Sequence, residues 1–127
     1  MHRPEDLVPP LELCKLIPAG EFENSALMWI EVEIPQENKK EWRVVNATKP
    51  ILACHNPKHA APTLEEILEE LRKNQEDVFL KWSETAYNAW LVNAYTHDKE
   101  DYQDHNRSAV TAALTVWLKM KGIEYGK

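Results

Sequence analysis

The chain is predicted to be α+β: an antiparallel sheet of four to five strands from two hairpins, with two longer helices packed on one face and a short N-terminal helix on the other face or at an edge. Three observations predict it. Residues 26–34 alternate apolar and polar with a period of two. Residues 62–74 open on a capping box and continue with an apolar stripe at helical spacing. After a short first helix, the order strand-strand-helix then occurs twice, and stripes and alternating strands bury their apolar sides most simply by packing in layers.

Taken in order, residues 1–9 are polar and proline-bearing and are expected to lack fixed structure, with residues 10–125 forming one domain. Pro10 opens a short helix, because the first turn does not need its missing N–H. Leu11 and Cys14, with Leu16 or Ile17, share its apolar side, and Pro18 and Gly20 end it. In the first strand Met28, Ile30, Val32 and Ile34 face one way while Trp29, Glu31 and Glu33 face the other. Residues 35–40 make a polar turn. Glu41 to Asn46 returns as a second strand with Trp42 and Val44 on one face. The short apolar run from Pro50 to Cys54 reads as a third strand or an edge extension.

In Pro62-Thr63-Leu64-Glu65-Glu66, Thr63 and Glu66 have the reciprocal spacing of a capping box. Leu64, Ile67, Leu68 and Leu71 form the stripe. Acids fill the early turns and Arg72-Lys73 the last, matching the helix dipole. Val78 to Trp82 and Ala89 to Thr96 read as the second hairpin, joined through 83–88. The acidic segment from His97 to His105 reads as a solvated loop. Asn106 or Ser108 starts the last helix, lined by Val110, Ala113, Leu114, Trp117 and Leu118 and closed by Gly122 near Lys121.

Bulk properties exclude more functions than they suggest. At 127 residues, folding removes roughly two-thirds of the unfolded surface from water, so no disulfide or metal is required for stability. The net charge of −6, with basic clusters no longer than pairs such as Lys39-Lys40, disfavours nucleic acid and anionic membrane surfaces. Apolar runs fall far short of bilayer length. Two cysteines make no disulfide framework, and Met1 to Asp6 runs into acidic and proline residues instead of a leader. A cytoplasmic location with reduced thiols is expected. Only three glycines exist, so a phosphate-cradling loop or dinucleotide fingerprint has nowhere to sit, and no cofactor is expected.

Three groups of residues remain as candidates. Cys54, His55 and His59, joined by Cys14, supply thiolate and imidazole ligands of the kind zinc takes, although the C-H-x3-H spacing is no standard finger. Their alternative is a half-buried cysteine beside two solvated histidines. Asp98, Asp101 and Asp104 offer oxygens to a hard cation but lack the calcium-loop register. Trp42, Trp82, Trp90 and Tyr95 make a recognition surface if they share an exposed sheet face, and ordinary cross-strand packing if they do not. No serine sits in a glycine-flanked elbow, and no catalytic set assembles.

The short helix Leu11-Glu12-Leu13-Cys14-Lys15-Leu16, the Met28-Trp29 strand and Ala61-Pro62-Thr63-Leu64-Glu65-Glu66-Ile67-Leu68 resemble small proteins of unknown function encoded by phages and prophage regions. The closing Ala109-x2-Ala112-Ala113-Leu114-x2-Trp117-Leu118-x3-Gly122 is similar to their final helix. The resemblance implies an α+β architecture and a phage or mobile-element setting, and it implies no activity. It does not extend to the Cys54-His55 pair or the 97–105 segment. The expected function is accordingly a non-enzymatic interaction or accessory protein whose partner is another protein or a second copy. An acidic mimic of nucleic acid and a metal-binding protein or metal-dependent hydrolase are the alternatives.

Overall fold

The computed structural model describes residues 4–74, 77–83, 89–95 and 101–123. The chain divides into two compact units, Met1–Thr63 and Leu64–Lys127, each with its own three-stranded antiparallel sheet.

The first unit begins with a 3-10 turn at Pro4–Leu7, then α1 (Leu11–Cys14), β1 (Leu27–Ile34), β2 (Lys39–Asn46), a helical turn α2 (Lys49–Ala53) and β3 (Lys58–Ala60). The strand order is β2-β1-β3. The β1–β2 hairpin turns at residues 35–38, where the Asn38 N–H reaches the Pro35 carbonyl and Asn38 takes a left-handed φ of 51°. Asparagine tolerates that region better than most residues. Register places Trp29 opposite Val44 on one side and His59 on the other. Val8, Val44 and Ala61 form a buried cluster against Leu27 and Trp29. The segment expected to lack fixed structure therefore contributes Val8 and Pro9 to the interior. Ser25 Oγ fastens the end of the sheet, lying 3.0 Å from the Leu27 carbonyl and 3.1 Å from that of Ala61.

The second unit holds α3 (Leu64–Asn74), β4 (Asp77–Ser83), β5 (Ala89–Tyr95), β6 (Asp101–Asn106) and α4 (Ala109–Met120), with strand order β4-β5-β6. Ile67 and Leu71 of α3 are fully buried, as the stripe predicts, and α3 packs on α4. Helix α4 lies on β5 and β6 and is buried from Ala112 through Leu118, Trp117 included. Ser108 caps it, its Oγ accepting from the Thr111 N–H at 3.3 Å, while the Ser108 N–H donates to Asn106 Oδ1 at 2.9 Å. At the other end the Gly122 N–H reaches the Lys119 carbonyl and the Ile123 N–H that of Leu118. That paired closure needs a left-handed residue, and Gly122 supplies it at φ 78°.

Three expectations are corrected. Among the described residues the strands form two three-stranded sheets, β2-β1-β3 and β4-β5-β6, in place of the single sheet of four to five strands. The run from Pro50 to Cys54 is helical over Lys49–Ala53 and not a strand. Pro50 fits a first helical turn but cannot donate to a ladder. Part of the segment read as an acidic loop is strand β6, paired to β5 from Trp90↔Asn106 to Tyr95↔Asp101. Residues 84–88 and 96–100, which include the rest of that segment, lie outside the described residues.

The caps and the core of the second unit differ in scale. Ser108→Ala should lower stability by about 1 kcal/mol. Leu114→Ala, at a fully buried site, should lower it by about 2–5 kcal/mol. Urea denaturation followed by circular dichroism checks both.

Candidate functional site

One face of the first sheet gathers Trp29, Trp42, His59 and, from the end of α1, Lys15. Strand register puts Trp29 and His59 side by side and Trp42 diagonally across β1. The Trp42 and His59 rings stand 5.7 Å apart at 33°, and the Lys15 ammonium lies 5.4 Å above the Trp42 ring. A cation over an aromatic face is attracted by the ring quadrupole. Burial lowers the pKa of His59 below its ordinary value, and the Lys15 charge lowers it further. The neutral imidazole is therefore favoured near neutral pH.

Beneath this face the Pro9 carbonyl accepts from two donors, the Trp29 indole N–H at 3.2 Å and the Cys14 thiol at 3.5 Å. Burial pushes the Cys14 thiol up to about 12, with the Trp29 contact opposing it. A thiol held protonated in this way is not a nucleophile. A cleft of about 580 Å³ opens beside it, bordered by Cys14, Lys15, Phe22, Met28, Leu52 and His59 among others. Its volume suits a small molecule. The Lys58 ammonium on its wall is held by the Cys54 carbonyl at 2.6 Å.

The three candidate ligands fall on different elements. His59 sits on β3 at the cleft, His55 is exposed on the preceding loop, and Cys54 is half-buried at the end of α2. Among the described residues no group of three or more His, Cys, Asp or Glu side chains converges as a metal site. Of the acidic residues considered for a hard cation, Asp104 already faces one, the Lys119 ammonium at 3.6 Å. Burial raises its pKa, against the pull of Lys119.

The aromatics divide between the two units. Trp42 is half-buried in the first. In the second, Trp82 and Trp90 are cross-strand partners with rings 5.5 Å apart in an edge-to-face arrangement. Tyr95 ends β5, and its side chain lies outside what is described. Around Trp82 the structure reveals a feature the sequence does not flag. Strand β4 is an edge strand, and Phe79 (53% exposed), Leu80 (36%) and Trp82 (39%) all reach solvent on it. On the face shared with Phe79, Asn93 donates to Gln103 Oε1 at 3.3 Å, while its buried Oδ1 has no partner among the described residues. The apolar content of β4 was legible, but which strand forms an edge is a property of sheet order alone.

No helix among the described residues is long and apolar enough to cross a membrane. No family model, curated protein or solved structure matches the chain.

Two titrations follow from the first unit. At pH 8 a thiol reagent should modify Cys54 in the folded protein and reach Cys14 only on unfolding, so Cys54→Ser should abolish native reactivity. Because Cys14 ionises near 9.0 when unfolded and near 12 when folded, its contribution to stability is complete below pH 9 and is lost as pH rises toward 12. Cys14→Ala should remove that part of the alkaline decline. In the same sheet, Lys15→Gln should raise the His59 pKa toward 6.5, read from its imidazole proton shifts in NMR.

Proposed function

We propose that this chain is a non-enzymatic interaction module that docks a protein partner on the β4 edge of its second sheet. The observation that carries this reading is the run of Phe79, Leu80 and Trp82, exposed along a strand whose outer side pairs with no strand among the described residues. Edge strands usually carry charge, proline or a cover that blocks further pairing. Edge β6 follows that rule with Asp101, Gln103, Asp104 and His105, whereas β4 carries Lys81 between large apolar residues. Exposed aromatic and aliphatic side chains of this kind anchor protein interfaces.

The acidic-mimic alternative draws on the net charge of −6. It is weakened by the way acids stand among bases, as in Glu37 with Lys39, Glu31 with Lys40 and Glu41 with Arg43. A phage-derived setting belongs to the proposal and rests on the order of segments in the chain, and a cytoplasmic one rests on two cysteines too few for a disulfide framework.

A photo-crosslinking side chain placed at Phe79 tests the reading inside cells. An adduct of discrete mass is expected there and not from the same probe at Gln103 on the β6 edge. Equal, diffuse labelling at both positions, or none, would remove the β4 edge as a docking surface.

A further inference from the structure

We infer that the partner on the β4 edge is a second copy of this chain, added antiparallel so that two three-stranded sheets become one of six strands. The inference rests on the docking role of β4 and adds the identity of the occupant. Its basis is the self-complementarity of the strand. Leu80 is the middle residue of Asp77–Ser83. A two-fold axis through it pairs Leu80 with its own copy, Val78 with Trp82, and Phe79 with Lys81.

The sides match as well as the residues. Val78, Leu80 and Trp82 lie opposite Ala94, Val92 and Trp90 of β5. That face already carries fully buried Val92 and Ala94. The symmetric pairing continues this apolar layer into the second copy, Val78 against Trp82 on each side of the axis. On the other face, each Lys81 ammonium meets a Phe79 ring of the second copy, a cation–aromatic pairing made twice. Like charges never face each other in this register. Centring the axis on Lys81 sets two ammoniums opposite, which is destabilising, and centring it on Phe79 leaves Trp82 beyond the paired region. The opposite edge is unsuited to self-pairing, since β6 carries Asp101 and Asp104 within six residues. A closed two-fold dimer through β4 also leaves only β6 edges outside, which stops further growth.

The register can be tested with matched charges at one position. Phe79 is more than half exposed, and circular dichroism verifies the fold of each variant. Sedimentation equilibrium of the full chain should give a dimer. Phe79→Glu, which faces Lys81 of the second copy, should retain it. Phe79→Lys, which sets two pairs of like charges opposite, should weaken association by about tenfold or more relative to Phe79→Glu. The double variant Phe79→Lys with Lys81→Glu should recover it. Equal weakening by Glu and Lys overturns the pairing, as does a monomer across the concentration range. A monomer that still forms a discrete crosslinked adduct at position 79, of a mass other than two chains, overturns self-pairing and keeps the docking surface. A monomer with no adduct overturns both.

Discussion

Strand β1 is hydrogen-bonded along both sides, to β2 by the hairpin and to β3 by the segment that returns after α2. A strand has only two edges, so this pairing leaves no place on β1 for the strands that follow. The remaining strands, β4 to β6, are ordered around β5, which β4 and β6 flank. The chain divides at Thr63 into two compact units. The buried stripe of α3 is satisfied by α4, although the helix comes directly after the first sheet in sequence.

The two sheets meet their edge problem differently. In the first, the short β3 presents three residues, and β2 places Lys39, Glu41 and Arg43 along its outer rows. Short strands and charge are familiar protections against unwanted pairing. In the second, β6 is polar apart from Tyr102, and β4 is not. The asymmetry is chemical and local: β4 leaves Phe79, Leu80 and Trp82 exposed. The cleft beside Cys14 has the size of a small-molecule site, and it lies in the first unit, apart in sequence from the apolar strand β4 of the second.

How much of this was legible depends on which physical signal each element carries. β1, β4 and β5 announce themselves through alternation or apolar β-formers, α3 and α4 through stripes with caps, and the Gly122 closure through the one residue type that fits it. The β6 strand has no such signal: Asp-Tyr-Gln-Asp-His-Asn is set in a ladder by pairing with β5, not by its own apolar pattern. The helical turn at α2 was masked by its apolar content, because so short a run carries too little periodicity to separate helix from strand. The candidate site was half legible. Trp82 and Trp90 could be placed on one hairpin, but the edge that exposes Phe79 and Leu80 exists only once sheet order is known. Cys54, His55 and His59 are close in sequence, but they fall at the end of α2, on the loop after it and on β3.

The Pro9 carbonyl that receives both Trp29 and Cys14 belongs to a residue followed by another proline, and Pro10 sits at φ −63°, ψ 155°. A proline ring fixes its own φ and restricts the residue before it. The unfolded chain is thus already extended at this point, and the acceptor is presented in nearly its final direction before anything docks on it. Ordering this segment forfeits little conformational freedom. A strand-sized stretch with few side chains to bury is held at the sheet because its unfolded alternatives were few to begin with.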